Sequence, residues 1–304
     1  MNKKIILLIG LLPILFNVQC KESPVSPPYE RDPVIEIEYP DDRDYTHLVG
    51  EGATLLIKGK TVYTERILII VDDRIIDEII TDSFKRKIEF KTIISDFGSP
   101  GIKDIIVRGI GESVINKKIQ IENNQVKIQQ MAMQFVGEQF SKGERIMRLL
   151  NLSNGPLAYS VRIKVPAEAH AYLSAIEEGA KFWKLFADID YRIIPVNEQS
   201  APDCYPNDIF GYIYIDTSFK ENGSWSCPRG GGYEIVGGVI YFYAPWVFSN
   251  SFNAYVISHE MGHFLGMGHS SGHNTVMDGG DYLIHPFQAL AIRIAYSKNP
   301  GDPI

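Results

Sequence analysis

Five of the seven histidines in the chain, His259, His263, His269, His273 and His285, fall in one stretch near the C-terminus. Three of them belong to the run His259-Glu260-Met261-Gly262-His263-Phe264-Leu265-Gly266-Met267-Gly268-His269, which has the pattern H-E-x-x-H-x-x-G-x-x-H. Two histidines four residues apart project from one face of a helix, about a turn from each other, so both imidazoles reach the same ion. Gly266 follows His263 by three residues, and glycine takes the left-handed conformation that ends a helix and turns the chain back. That turn lets His269 approach the ion from another side. Three neutral histidines leave a fourth tetrahedral position open, which is the arrangement of catalytic zinc, whereas structural sites are closed and usually contain thiolates. The residues therefore predict one catalytic Zn2+ per chain, held by His259, His263 and His269. His273 also follows the helix, and composition does not separate it from His269. Only His269 has the three-residue spacing after Gly266, which leaves His273 to the surface or to the surroundings of the ligands. If each of the five specified positions is matched at roughly one in twenty, the whole pattern arises by chance in about one chain of this length in ten thousand.

Glu260 lies beside His259 on the same helix, too near to be a third ligand once His269 is in place. It is positioned to take a proton from water and pass it to a leaving amine. The reaction this predicts is hydrolysis of peptide bonds, with zinc lowering the pKa of its water to about 7 and polarising the scissile carbonyl. The competing role for Glu260 is a buried carboxylate paired with a neighbouring cation.

These residues need a helix, and the helix needs a frame. Tyr159 to Val165 alternates as a strand does, and an amphipathic stripe follows with Tyr172, Leu173, Ile176, Ala180, Trp183 and Phe186 on one helical face. Tyr191 to Pro195, Ile209 to Asp216 and Gly238 to Tyr243 read as further strands. The order β-α-β-β-β then meets a helix starting near Ser251 or Asn253, and the domain is α/β (α+β). Gly237 to Tyr243 precedes the histidine helix and is either an ordinary core strand or an edge strand that binds an extended chain, its glycines allowing close approach.

The stretch from His259 to His269 resembles the metzincin zinc endopeptidases, and Ser270 after the third histidine resembles the matrix metalloproteases (matrixins) among them. Metzincins place a methionine in a tight turn under the metal. Met277, in Asn274-Thr275-Val276-Met277-Asp278-Gly279-Gly280, stands eight residues after His269 and matches that position. A last helix over Phe287 to Ser297 fits the family as well. The resemblance implies a twisted sheet with an active-site helix and covers roughly residues 156–304, with most of its weight on 259–277. Asp278-Gly279 replaces the Tyr-Pro common after the matrixin methionine, so the wall of the S1′ pocket is not predicted. Gly279 also removes the tyrosine that astacin-like relatives use as an extra ligand. No cysteine lies between Cys20 and Cys204, so the latency cysteine of matrixins is missing, and calcium sites of the matrixin kind are not legible.

The N-terminal half has a different character. From Val34 to Ile121, seven short β-rich runs (VIEIEY, TLLIK, ILIIV, IIDEII, KIEFKTI, KDIIVRG and INKKIQIE) alternate with turn formers and predict an all-β sandwich over 33–123. The segment resembles bacterial immunoglobulin-like modules in a generic way, without their cysteine pair or tryptophan. Residues 124–304 form the protease domain. Its first stretch, with Met131, Phe135, Phe140, Met147 and Leu150 at modest helical spacing, either links the two parts or packs onto the second.

Ahead of both parts, Lys3 and Lys4 precede an apolar run from Ile5 to Phe16 that is too short for a bilayer core of about 30 Å. Residues 1–19 read as a signal peptide and 20–32 as a Pro/Ser-rich tether. The segment resembles a bacterial lipoprotein signal, which implies lipid on Cys20 and anchoring to a membrane, the outer membrane or cell surface being favoured. The alternative is an ordinary secretory signal and a secreted protein. In an exported chain Cys204 and Cys227 are expected to form a disulfide rather than remain two free thiols. The net charge of −7 argues against a nucleic-acid partner. Two functions stay open: an endopeptidase acting on extracellular or surface proteins, and a catalytically inactive adhesion or binding lipoprotein on the same fold. The intact Glu260 and three histidines favour the first.

Overall fold

Strands of alternating apolar and charged residues build the N-terminal half of the computed structural model, which describes residues 32–40, 47–81, 87–142, 144–146, 148–149, 160–187, 189–197, 212–217, 224–231, 234–241, 250–269, 275–278 and 284–304. The expectations for residues 1–19, Cys20, Cys204, Ser270, His273 and Gly279 therefore lie outside the described residues. Strands β1 (Val34–Tyr39), β3 (Leu55–Val62) and β6 (Ile88–Ile94) form an antiparallel sheet in the order β1-β3-β6. A second sheet runs β2-β8-β7-β4-β5, from β2 (His47–Val49), β4 (Arg66–Val71), β5 (Arg74–Ile80), β7 (Gly101–Ile110) and β8 (Val114–Asn123). Its pairings are antiparallel except that of β2 with β8. Period-two patterning puts Ile105 and Val107 of β7 inside, fully buried. The two sheets meet face to face where Ile35 of β1 lies over Gly109 of β7, so closely that a Cβ on Gly109 would come within 2.7 Å of the isoleucine Cδ1. All seven strands expected in this half are present. The eighth, β2, has three residues, too few to carry a periodic signal.

The C-terminal half is built on parallel strands. β12 (Ser160–Val165), β13 (Asp190–Pro195), β14 (Ile213–Asp216) and β16 (Glu234–Tyr241) lie in the order β16-β14-β12-β13. The two-residue β11 (Arg148–Leu149) pairs with the start of β16, after a minimal hairpin of β9 (Ser141–Lys142) and β10 (Arg145–Ile146). Parallel neighbours need a crossover, and helix α2 (Leu173–Ala187) supplies it between β12 and β13. Ile176, Ala180, Trp183 and Phe186 of the expected stripe are all fully buried. An antiparallel strand, β15 (Trp225–Gly231), pairs with β16 on the side away from β14. Sequence patterning misses it because Ser-Cys-Pro-Arg-Gly-Gly has no apolar alternation.

β15 also settles the two readings of the glycine-bearing strand. β16 is paired on both sides and is an interior strand, while among the described residues β15 pairs with β16 alone. The chain that approaches its glycines is this same neighbour. Gly238 has φ +154°, and a Cβ there would strike the Cys227 carbonyl of β15 and come within 2.7 Å of the Phe264 ring.

Helix α3 (Asn250–Phe264) is set by its contact with α2. At Gly179 the backbones are so close that a Cβ would lie 2.9 Å from the Ala254 carbonyl oxygen. The buried Trp183 indole donates to the Ser258 carbonyl at 2.9 Å, and the Ser258 hydroxyl donates to the Ala254 carbonyl at 2.8 Å. Helices α1 (Gln125–Gln139) and α4 (Pro286–Ser297) pack against each other, with Phe135 edge-on to Phe287 at 5.7 Å. α1 both links and packs. Its N-cap Asn124 donates its backbone N–H to the Val49 carbonyl, Gln125 accepts from the Glu51 N–H, and Arg293 of α4 donates to the Gly52 carbonyl at 2.7 Å. Through these bonds Asp32–Ile304 forms one compact unit of mixed α/β structure. No described helix is long and apolar enough to cross a membrane.

Candidate metal centre

The last turns of α3 present one side to the core and the other to a cleft. Ala254, Ile257, Met261 and Leu265 are buried, which turns the half-buried His259 and His263 the other way. Their rings lie 5.0 Å apart, as residues one turn apart on a helix should. The helix stops in a Schellman motif. Gly266, at φ +95°, donates its N–H to the His263 carbonyl, and the Met267 N–H reaches back to the Gly262 carbonyl at 3.0 Å. The expected glycine turn is therefore present at Gly266, and it returns the chain toward the helix face. His269 arrives with its ring 5.1 Å from that of His259 and 4.9 Å from that of His263.

A ligand nitrogen from each of the three histidines lies within 4.8 Å of the others, close enough to hold one metal ion. The nitrogens' protonation follows from their partners. His259 Nδ1 lies 2.7 Å from the Val276 carbonyl and His263 Nδ1 lies 2.8 Å from the Met267 carbonyl. A carbonyl only accepts, so both Nδ1 atoms carry the proton and both Nε2 atoms present a lone pair. His259 Nε2 is 3.1 Å from His269 Nε2. Two nitrogens bound tetrahedrally to one ion at about 2.1 Å would stand about 3.4 Å apart, so the donors need only a small adjustment. Burial, reinforced by His259 and His269, lowers the pKa of His263, against the raising effect of the Met267 carbonyl, and keeps the ring neutral and able to ligate. The chemistry and geometry of this donor set fit a metal ion.

Met277 lies beneath the two helical histidines. It is buried in a short 3-10 turn over Val276–Asp278, and a Cβ on Gly262 would run into its sulfur. Glycine between His259 and His263 thus gives the methionine its seat. The same turn supplies the Val276 carbonyl that fixes His259, so it supports the centre both by packing and by hydrogen bonding.

Glu260 is buried, with a hydrogen bond from Ser226 of β15, and it lines the same cleft as the three histidines. Burial pushes its carboxyl up to about 7, opposed by the Ser226 bond, whereas a cation held by the histidines would favour the carboxylate. Among the described residues that line the cleft there is no lysine or arginine to pair with Glu260. The cleft has a volume of about 800 Å³, with Glu138 and Gln139 of α1 on one wall and Trp225 and Pro228 of β15 among the others. Trp225 stacks on Tyr241 at 4.4 Å.

Sequence reasoning missed the residues that support the site from a distance: Val276, whose carbonyl meets His259, Ser226, which bonds Glu260, and Gln139, whose side-chain oxygen accepts from the Gly268 N–H at 2.8 Å. Val276 adjoins Met277 but acts through its backbone carbonyl, which no residue type announces, and Ser226 and Gln139 sit in no local pattern with the histidines. Cys227 on β15 is disulfide-bonded. Cys20 and Cys204, the other two cysteines, both lie outside the described residues. No family model and no curated protein matches this sequence.

Proposed function

We propose that the chain is an exported zinc endopeptidase of the metzincin kind, closest in pattern to the matrixins. The observation that carries the reading is the convergence of His259, His263 and His269 on one point, with the buried carboxylate of Glu260 in the same cleft. Histidine-only donors with an open side suit catalytic zinc, and the methionine turn under Gly262 supports the family assignment. Zinc held there would supply Lewis acidity, acidifying water and polarising a scissile carbonyl. Glu260 would take a proton from water in the cleft and return it to the leaving amine, with Ser226 orienting the carboxylate. Ser224, Trp225, Ser226 and Pro228, in or beside β15, line the cleft, and among the described residues this strand pairs with β16 alone, which suits the addition of an extended peptide along it. Protein or peptide is accordingly the substrate class.

In this reading, Cys20 carries lipid that anchors the chain to a bacterial membrane, an immunoglobulin-like module over 33–123 precedes the protease, and Cys204 is the partner of Cys227. The decisive experiment compares wild type with Glu260→Gln on casein and on a quenched peptide. Wild type should cleave, a chelator should abolish cleavage and added zinc should restore it. Glu260→Gln should keep zinc and fold while losing about 10²- to 10⁴-fold in rate. Wild type that binds zinc yet cleaves nothing would favour the inactive adhesion protein instead.

A further inference from the structure

The third ligand is the weak point of the centre. His259 and His263 are held by a helix, but His269 is exposed and sits beyond the helix end, behind two glycines, Gly266 and Gly268. Glycine gives such a segment more backbone freedom than any other residue, so something else must fix it. The peptide unit joining Met267 to Gly268 carries two anchors. Its carbonyl accepts from His263 Nδ1 at 2.8 Å, and its N–H donates to Gln139 Oε1, also at 2.8 Å. A peptide unit is planar, so pinning its oxygen and its nitrogen to opposite partners sets the orientation of the whole plane. The next side chain along the chain is His269.

We infer that Gln139 is a positioning residue for the metal centre: the last residue of α1 holds the Met267–Gly268 peptide so that His269 completes the ligand set. The inference rests on the three-histidine site binding zinc as proposed above, and it extends that site to a residue 129 positions away in sequence. α1 is a suitable base for the task. Ile128, Ala132, Phe135 and Val136 are buried beneath it, and Phe135 abuts Phe287 of α4. Its N-terminal end is tied to the strand-rich half by the bonds of Asn124 and Gln125. α1 thus connects the strand-rich half to the Met267–Gly268 peptide through the Gln139 side chain.

The test uses the full mature chain with Gln139→Met, which keeps side-chain length and removes the acceptor, and Gln139→Glu, which keeps an acceptor. Zinc affinity is measured by competition with a chromogenic chelator, and ligand geometry by the visible spectrum of the cobalt-substituted protein; neither depends on peptide cleavage. Gln139→Met should weaken zinc binding roughly tenfold and reduce the intensity of the tetrahedral cobalt bands. Gln139→Glu should bind zinc within about threefold of wild type or tighter, because a carboxylate oxygen also accepts the Gly268 N–H. In a His269→Ala background, Gln139→Met should cost clearly less than in wild type, since the larger part of its effect passes through His269. Undiminished affinity in Gln139→Met would overturn the inference, as would an equal loss in Gln139→Glu or an undiminished second loss in the His269→Ala background. Wild type that binds no zinc would sink the zinc reading itself, whereas tight zinc binding without cleavage would sink only the protease reading.

Discussion

Replacing Gly262 by alanine sets two opposing effects against each other inside the metal site. In a helix alanine is favoured over glycine by up to about 1 kcal/mol, and Gly262 lies in the last turn of α3. Here the added methyl would strike the Met277 sulfur, lie 2.9 Å from the Met277 methyl and 3.1 Å from that of Met267. Forcing a methyl into a filled core costs about 1–3 kcal/mol, and flexible methionine ends put this case in the lower half of that range. The net change in stability of the metal-free protein should therefore be small, about 0–1 kcal/mol destabilising, read from urea unfolding in chelator. The larger effect should fall on the metal. Met277 and Val276 share one turn, and the Val276 carbonyl fixes His259 at 2.7 Å, so displacing the turn should weaken zinc binding roughly tenfold. A thermodynamic cycle isolates the contact. In a Met277→Ala background, where a cavity replaces the side chain and only the flexible Met267 methyl stays near, Gly262→Ala should become neutral to stabilising, by up to about 1 kcal/mol. If Gly262→Ala has the same cost in both backgrounds, or leaves zinc affinity untouched, Met277 is not the packed support that this reasoning requires.

Three further outcomes follow from the same structure. Gly179→Ala should destabilise the fold by about 2 kcal/mol in urea unfolding, more than Gly262→Ala, because its methyl would lie 2.9 Å from the Ala254 backbone carbonyl, which cannot swing aside; a cost near zero would refute the close α2–α3 contact. Zinc content should fall sharply in His269→Ala and stay near one per chain in His273→Ala, and the reverse would reassign the third ligand. The Asp72 carboxyl is lowered to about 2 by the Lys103 ammonium and by the Ser99 N–H and hydroxyl. Its stabilising contribution is therefore complete above an unfolded-state pKa near 3.9 and is lost as pH falls toward 2. The stability difference between wild type and Asp72→Asn should shrink over that interval, and a difference independent of pH would count against the pairing.

The strand-rich half was legible because its sheets have one wet face and one dry face. Lys87-Ile88-Glu89-Phe90-Lys91 alternates for that reason, and from Ile88 it lies in β6, where Phe90 is buried. β2 and β15 were not legible. β2 is too short for any period, and β15 is a strand because β16 pairs with it, not because of its own composition. α1 shows the same limit in another form. Met131, Phe135 and Phe140 carry enough of a helical pattern to announce a buried stripe, but they do not say which surface buries it. The answer, α4 together with the loop after β2, lies in contacts more than 70 residues away.

The metal centre divides along the same line, for a physical reason. His259, Glu260 and His263 share one helix, and Gly266 and His269 follow within its terminal turn, so local geometry alone brings them near one point. Any chain with this helix and this glycine has nearly fixed their separation, and such residues are readable from spacing. Proximity within a turn does not fix the direction of a lone pair. His259 needs the Val276 carbonyl and the Met267–Gly268 peptide needs Gln139, partners that approach across 17 and 129 residues. A backbone carbonyl has no residue type, and a glutamine at a helix end has many ordinary reasons to be there, so neither announces its role. The three histidines are thus written in local sequence, while the constraint that makes them into one site is a property of the tertiary fold.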